Sequence, residues 1–215
     1  MPIRAVFFDV GETLVDETRM WQAWADVLGL PRLTVLGVLG GLAARGADHR
    51  EVFTRLAPGA DLGRAEAEMR ERGLFDGFSA QDLYPDALPC LRALRGAGLR
   101  IGIAGNQPAA AEQMLRELDA PVDVVASSES WGVAKPAPEF FARVLRASRV
   151  SPAELAYVGD RVDNDVVPAA AAGMVAGHVR RGPWGHLQAD WPEAARAAIR
   201  VRSLGDLPAA LVARR

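Results

Sequence analysis

The stretch VFFDVGETLV, residues 6–15, leads from three apolar side chains directly to a single aspartate, Asp9. Glycine, glutamate and threonine follow that aspartate within four positions. A carboxylate at the end of a buried strand is costly unless a metal ion, a hydrogen-bond network or a substrate keeps it charged. The stretch therefore predicts a buried strand that brings Asp9 to a functional site, and the rest of the chain must supply its partner.

Strand and helix patterns alternate along most of the chain. Strands are predicted at residues 3–9, 99–106, 122–128, 155–160 and 174–180, the last as a fifth strand or the edge of the sheet. Apolar periodicity and glycine stops predict helices at residues 86–98, 109–119, 138–148, 165–173 and 204–212. This alternation predicts an α/β fold, a doubly wound parallel sheet covered by helices on both faces.

The alternating pattern is absent from residues 16–83. Helical spacing predicts three helices there, at residues 18–30, 48–57 and 64–73. Trp21 and Trp24 lie on one face of the first and are predicted to be packing residues rather than ligand contacts. We therefore predict an α/β core domain at residues 1–15 and 84–215, with an all-helical domain at residues 16–83 inserted into it.

Composition limits the class of partner and the compartment. A net charge of −2 and a pI of about 6.0 provide no basic field, which predicts a small-molecule or protein partner and no nucleic-acid or membrane partner. The apolar run at residues 33–44 is too short and too glycine-rich to span a bilayer. The single cysteine, Cys90, and the lack of a charged-then-apolar leader favour the cytoplasm. The sequence specifies no oligomeric state.

Two residue types are rare and fall at corresponding places in the predicted fold. Among 25 lysine and arginine residues Lys135 is the only lysine, and Asn106 and Asn164 are the only asparagines. These three residues are either present by chance, or each occupies a position where arginine, aspartate or serine could not perform the same function. Asp9, Asn106 and Asp160 end predicted strands, and Lys135 and Asn164 lie in the loops that follow strands. Because ligands of doubly wound sheets bind at the carboxyl ends of the strands, we expect all five residues to face one crevice.

The acids of this crevice predict a metal site. Carboxylates packed closely repel one another unless a cation lies among them, and hard oxygen ligands indicate Mg²⁺. The acids concerned are Asp9, Asp160, Asp163 and Asp165. Lys135 would keep Asp9 ionised and neutralise an anionic substrate group. The combination describes a site for a phosphate ester with Asp9 as nucleophile, and Thr13 and nearby backbone amides would cradle the phosphate oxygens.

Four runs of this sequence resemble, in order and spacing, the motifs of the haloacid dehalogenase-like (HAD) hydrolase superfamily. They are FFDVGETLVDE at 7–17, GIAGN at 102–106, GVAKPAPEFF at 132–141 and YVGDRVDNDVVPAAAAGM at 157–174. The resemblance covers nearly the whole chain outside the helical insertion, and its fourth motif is the most specific. It implies a Rossmann-like core with a helical cap, inserted after the first motif, that closes over the crevice and selects the substrate.

The resemblance also implies roles for individual residues. Asp9 is the implied nucleophile and a metal ligand, and the carbonyl of Gly11 binds the same metal. Asp160 and Asp165 hold Mg²⁺ directly or through water. Lys135 stabilises the nucleophile and the phosphate. Asp163 lies outside this ligand set and is predicted to be a solvated loop acid.

Two positions depart from the family pattern. Phosphatases of the family carry a second aspartate two residues after the nucleophile as general acid and base, and that position here is Gly11. Because acid–base assistance is worth about 10²–10⁴-fold in rate, esters with good leaving groups should suffer least from its loss. Glu12 is a weak candidate for the missing acid. Gly105 replaces a serine or threonine before Asn106, which leaves the backbone amides of both residues as phosphate contacts.

Three functional classes follow from these residues. The leading class is a Mg²⁺-dependent phosphatase of small phosphorylated metabolites that works through an aspartyl-phosphate on Asp9. The second is a haloacid dehalogenase, which uses the same aspartate without a metal. The third is a scaffold that binds a phosphorylated ligand or a protein without turnover, with Gly11 as its best support.

The remaining polar and aromatic features receive no catalytic role. The three histidines are predicted to be ordinary surface or packing residues, and they are His49, His178 and His186. The segment RRGPWGH, residues 180–186, is predicted either to place an arginine and an aromatic ring at the rim of the crevice or to form an ordered surface loop.

Overall fold

Six parallel strands form one sheet in the order β3-β2-β1-β4-β5-β6, in a computed structural model that describes residues 2–118 and 120–212. The strands are β1 Ala5–Phe8, β2 Arg100–Gly105, β3 Val124–Ser127, β4 Leu155–Gly159, β5 Val175–Val179 and β6 Ile199–Val201. The predicted doubly wound α/β class is confirmed. Asp119, the last residue of the helix predicted at 109–119, lies outside the described residues.

Helices cover both faces of this sheet, which is why the strands are apolar at successive positions. In β1, Val6 and Phe8 pack into one apolar layer, and Ala5 and Phe7 pack into the other. The first layer is covered by α5 Ala87–Gly96, α6 Ala109–Glu117 and α11 Leu207–Val212. The second is covered by α8 Pro138–Ser148 and α9 Val167–Ala171. All four side chains of β1 are fully buried as a result.

The order of the strands places a crevice beside β1. Chain connections lead from β1 to β2 on one side, and the later strands β4 to β6 are added on the other side. Ligand-binding crevices of such sheets lie outside the carboxyl ends of the strands where the order reverses. Asp9 follows β1 and Asp160 follows β4, so both acids stand at this reversal.

Four helices between β1 and α5 form a separate helical segment. They are α1 Thr18–Val27, α2 Arg32–Ala43, α3 Glu51–Leu56 and α4 Leu62–Glu71. Trp21, Trp24 and Leu39 belong to an apolar cluster of this segment, which also includes Trp184 from the core side. The division of the chain at residues 16 and 83 remains a prediction.

Three helices and one strand were not predicted from the sequence. α2 was interpreted only as an apolar run, because its glycines lower helix propensity, and burial of its apolar side chains stabilises it instead. α7 Ser128–Trp131 and α10 Gly182–Leu187 are short, and β6 has an exposed arginine between two buried residues. No helix in the described ranges is long and apolar enough to cross a membrane.

Candidate active site

Three acids converge at the carboxyl ends of the strands. Asp9, Asp160 and Asp165 each offer a carboxylate oxygen, and these oxygens all lie within 4.8 Å of one another. Asp9 and Asp160 follow β1 and β4 directly, and Asp165 lies on the helical turn Val162–Val166 after β4. All three residues are buried. The sequence-based expectation that these acids share one crevice agrees with this geometry.

Lys135 is the cation of this cluster. Its Nζ lies 2.7 Å from Oδ1 of Asp9 and 2.6 Å from Oδ1 of Asp165. Burial works to lower the pKa of Lys135, but the two carboxylates outweigh it and raise the pKa well above its ordinary range. Asn106 holds the lysine backbone, since its Oδ1 accepts from the Lys135 amide at 2.8 Å and its Nδ2 donates to the Lys135 carbonyl at 2.9 Å. Two of the rare residues are thus bonded to each other.

The cluster carries more negative charge than Lys135 can balance. Burial, followed by the charges of Asp165 and Asp9, raises the pKa of Asp160 well above its usual value. One ammonium faces three carboxylates, which leaves two formal negative charges without a partner in the cluster. A site of carboxylate oxygens with this charge excess fits a divalent hard cation such as Mg²⁺.

The two acids on the turn after β4, Asp163 and Asp165, have different partners. Oδ2 of Asp165 accepts from the backbone amide of Arg161 at 3.0 Å. Asp163 instead pairs with the guanidinium of Arg161, at 2.8 Å and 3.1 Å, outside the three-acid cluster. His178 is buried, and its Nε2 lies 2.9 Å from the carbonyl oxygen of Asp160. His178 is therefore a packing residue, as predicted, that supports the backbone of Asp160.

The two predicted phosphate contacts Thr13 and Gly105 differ in their position relative to the pocket over the acids. Thr13 is fully buried, and its hydroxyl has no hydrogen-bond partner within the described ranges. Thr13 is not among the residues that line the pocket over the acids, since its side chain is fully buried. A Cβ on Gly105 would lie 2.6 Å from Oδ1 of Asp9. Glycine at this position therefore leaves room for the Asp9 carboxylate.

A polar pocket of about 90 Å³ opens over the acids. Most of its predicted lining is present, namely Asp9, Gly11, Asn106, Lys135, Asp160 and Asn164. Glu17 and His49 also line it and were not predicted to do so, and Trp184 lines it as well. Of the two alternatives predicted for residues 180–186, the surface loop was wrong, because Gly182–Leu187 form α10 and Trp184 is buried against the helical segment, whereas an aromatic ring at the crevice agrees with the position of Trp184.

His49 lies in the pocket wall between two tryptophans. Its ring meets Trp21 and Trp184 edge-on, with centroid distances of 6.0 Å and 6.2 Å. Burial lowers the pKa of His49, which favours the neutral ring. The prediction that His49 is an ordinary surface or packing residue was wrong in one respect, since the residue contributes to the polar pocket.

Glu12 anchors the chain after the nucleophile. Its Oε2 accepts from the hydroxyl of Tyr84 at 2.6 Å, and its Oε1 accepts from the backbone amide of Glu17 at 3.0 Å. Glu12 has a positive φ of 51°, so this turn holds a conformation that few non-glycine residues adopt. With both carboxylate oxygens engaged, Glu12 is a positioning residue, which weakens its candidacy for the missing acid.

Glu17 precedes α1 and points its carboxyl group toward Gly11. Burial raises the pKa of Glu17 to about 8, and the negative charges of Glu12 and Asp9 contribute. Glu17 is the last residue of the motif run at 7–17, but no role was predicted for it, because the resemblance assigns the acid and base to residue 11.

An apolar chamber of about 710 Å³ adjoins the polar pocket. The two cavities share His49 and Gln107 in their walls. The chamber lies between the helical segment and the start of α6, and its apolar walls include Trp21, Trp24, Phe53, Phe75, Phe78 and Met114. Trp21 and Trp24 therefore pack within the helical segment, as predicted, and also line the wall of the chamber.

With the strand order, the acid cluster and the buried lysine described, the chain can be compared with known protein families. A family model described as haloacid dehalogenase-like hydrolase matches residues 3–173, and the chain belongs to this family of hydrolases. The resemblance drawn from the four sequence motifs is thereby confirmed.

Two curated relatives are named as phosphatases. The chain is 35% identical over 214 residues to a glyceraldehyde 3-phosphate phosphatase of Pyrococcus furiosus, covering 92% of this chain and 89% of that protein. It is 38% identical over 104 residues to a protein of the same name from Methanopyrus kandleri, covering 47% of this chain and only 45% of that protein. Among solved structures, an L-2-haloacid dehalogenase matches with a TM-score of 0.74 and 23% identity over 99% of this chain and 100% of that one, which shows the fold alone.

Proposed function

We propose that this protein is a Mg²⁺-dependent hydrolase of phosphate monoesters that acts in the cytoplasm through an aspartyl-phosphate on Asp9. The observation that carries the proposal is the cluster of three carboxylates beside the buried ammonium of Lys135. The phosphatase names of the relatives support it. Its direct test is Mg²⁺-dependent release of phosphate from an activated aryl ester, with loss of the reaction on chelation.

The residues of the cluster divide the reaction between them. Asp9 attacks phosphorus, the bond from phosphorus to the alcohol oxygen breaks, and water then hydrolyses the aspartyl-phosphate to inorganic phosphate and Asp9. Because Lys135 holds Oδ1 of Asp9, it orients the nucleophile and neutralises charge on the phosphoryl group. Asp9, the Gly11 carbonyl and Asp160 would hold Mg²⁺, with Asp165 bound directly or through water. The ion supplies charge stabilisation to the transferring phosphoryl group.

The first prediction concerns the metal. We expect Asp160→Ala to weaken Mg²⁺ binding by about 100-fold or more, because it removes one of the three clustered oxygen donors. Isothermal titration calorimetry with MgCl₂ measures the change. The matched control is Asp163→Asn, which removes an acid of the same turn that pairs with Arg161 instead. Equal Mg²⁺ affinity in Asp160→Ala and the unaltered protein would contradict the assignment.

The apolar chamber indicates the substrate class. A pocket of about 90 Å³ has room for a phosphoryl group and little more, so the organic part of the ester must extend beyond it. The adjoining chamber of about 710 Å³ is within the range of small-molecule sites, about 300–1,000 Å³, and its walls are largely aromatic. We therefore propose small phosphorylated metabolites whose alcohol part is apolar.

The second prediction tests the chamber. Phe53 packs against Trp24 with a centroid distance of 4.6 Å. We expect Phe53→Ala to lower kcat/KM for para-nitrobenzyl phosphate by about tenfold, because apolar contact to the ring is lost, and to leave ethyl phosphate within about twofold. Leu33→Ala is the control, since it removes an apolar side chain that is 84% exposed and remote from the chamber. An equal loss on both esters would contradict the proposed substrate class.

The two alternative classes are less well supported. A haloacid dehalogenase would use Asp9 without a metal, but the charge excess of the cluster would repel an anionic haloacid. A binding scaffold without turnover drew its support from Gly11, and the ion pairs of Lys135 with Asp9 and Asp165 argue for chemistry instead. The aryl phosphate assay separates both alternatives from the proposal.

A further inference from the structure

The carboxyl group of Glu17 fills the volume that a side chain on residue 11 would occupy. A Cβ on Gly11 would overlap Oε1 of Glu17 and lie 2.8 Å from its Cδ. Gly11 does not have a left-handed φ, so its backbone alone does not require glycine. Glycine at residue 11 leaves this volume free, and the Glu17 carboxyl group occupies it.

The backbone holds Glu17 at this place from two sides. Its amide donates to Oε1 of Glu12, and the hydroxyl of Tyr84 donates to the other carboxylate oxygen of Glu12, Oε2. Its carbonyl accepts from the amide of Trp21 at 3.1 Å, in the first turn of α1. The side chain therefore reaches the polar pocket from a fixed starting point.

The other acids of the pocket within the described ranges have different partners. Asp9 and Asp160 belong to the metal cluster, and both oxygens of Glu12 are engaged. Glu17 lines the same pocket but is not part of the three-acid cluster. Among the acids that line this wall, Glu17 is the one that belongs neither to the three-acid cluster nor to the hydrogen bonds of Glu12, and its carboxyl group accepts a hydrogen bond from the side chain of Trp21.

We propose that Glu17 is the general acid and base of the reaction, supplied by the helical segment in place of the missing aspartate. This inference rests on the proposed phosphatase function. As Asp9 attacks phosphorus and the phosphorus–alcohol bond breaks, the Glu17 carboxyl gives its proton to the departing alcohol oxygen. The Glu17 carboxylate then takes a proton from the water that attacks the aspartyl-phosphate. Ester and water become alcohol and inorganic phosphate, and Glu17 ends protonated.

The experiment compares two esters in the Mg²⁺-loaded protein. An aryl oxide of low basicity leaves without a proton, whereas an alkoxide needs one. Glu17→Gln should lower kcat/KM for para-nitrobenzyl phosphate by about 10²–10⁴-fold and for para-nitrophenyl phosphate by less than about tenfold. Because the second step loses its base, para-nitrophenol should also appear as a burst followed by slow turnover. A merely structural role would lower kcat/KM for both esters alike and produce no burst.

A second experiment moves the carboxyl group from residue 17 to residue 11 and tests whether its place in the pocket determines its effect. Glu17→Ala combined with Gly11→Asp returns a carboxyl group to the same volume from the other side, so it should recover much of the benzyl phosphate activity that Glu17→Ala loses. Gly11→Asp alone meets the Glu17 carboxyl group and should not raise activity. The control is Glu68→Gln, an exposed residue of α4 paired with Arg72, which should change neither ester.

Three outcomes would overturn the inference. Equal loss on both esters, or none on either, would remove Glu17 from proton transfer while leaving the proposed function intact. Selective loss of benzyl phosphate activity in His49→Gln, with Glu17→Gln unaffected, would assign the proton to His49 instead. Absence of hydrolysis by the unaltered protein on both esters would overturn the proposed function itself, and this inference with it.

Discussion

Asp9→Asn is expected to abolish turnover of phosphate esters, with a loss of at least about 10⁴-fold in kcat for both aryl and alkyl substrates. The amide keeps the size of the carboxylate but has no anionic oxygen to attack phosphorus. Asp160 and Asp165 remain in the variant, so a residual metal site persists while the covalent step is lost. Steady-state assays and mass spectrometry of acid-quenched protein measure the rate and the phosphorylated intermediate.

The control for this prediction is a neutral change in a neighbouring acid. Asp163→Asn removes a carboxylate of the turn after β4 that pairs with Arg161 and does not join the cluster. It should retain turnover and form the phosphorylated intermediate. Hydrolysis by folded Asp9→Asn at a rate close to that of the unaltered protein would exclude Asp9 as nucleophile.

Lys135→Arg is expected to lose nearly as much activity as Lys135→Ala, on the order of 10²-fold in kcat. The lysine Nζ lies 2.6–2.7 Å from two carboxylates, in a side chain that is only 1% exposed. A planar guanidinium is larger and cannot occupy the same point between Asp9 and Asp165. The kcat of both variants, measured with saturating Mg²⁺, tests this expectation.

Measuring the free energy of unfolding of the two Lys135 variants distinguishes a loss of catalysis from a loss of the fold. Lys135→Ala leaves buried carboxylates without their partner, which costs about 3–5 kcal/mol of unfolding free energy. Urea unfolding with Mg²⁺ present shows whether each variant is folded in the assay. Arg32→Lys, in an exposed pair with Asp26, is the matched arginine–lysine control and should behave like the unaltered protein. Near-normal turnover by Lys135→Arg would remove the requirement for a compact ammonium and favour chance as the reason for the lone lysine.

The predicted core elements agree closely with the structure where periodicity is strong. The helix predicted at residues 138–148 is α8 Pro138–Ser148, and each predicted strand is present with ends shifted by one or two residues. β6 and α2 were missed for physical reasons. β6 is three residues long with an exposed centre, and the glycines of α2 conceal a helix that tertiary packing stabilises.

For the candidate site, too, local sequence patterns predicted the position of some residues, and only the tertiary fold decided the position of others. Asp9, Lys135, Asp160 and Asp165 were placed together because carboxyl ends of parallel strands meet at one edge of a sheet. The hydrogen bonds between Asn106 and the backbone of Lys135 supply a reason for the pairing of two rare residues. Thr13 was predicted to face the pocket from its position in the sequence alone, whereas in the structure it is fully buried and does not line the pocket.

The sequence by itself determined the parallel sheet, the nucleophile strand and the acids around it, because strand periodicity and strand ends are local properties of the chain. Only the tertiary structure decided which groups complete the pocket. His49 reaches it because the helical segment contributes to the pocket wall, and Trp184 reaches it because α10 packs against that segment. Glu17 is close to Gly11 in the sequence, but only the folded turn after β1, held by the hydrogen bonds of Glu12 to the Glu17 amide and the Tyr84 hydroxyl, brings its carboxyl group to the free volume beside Gly11.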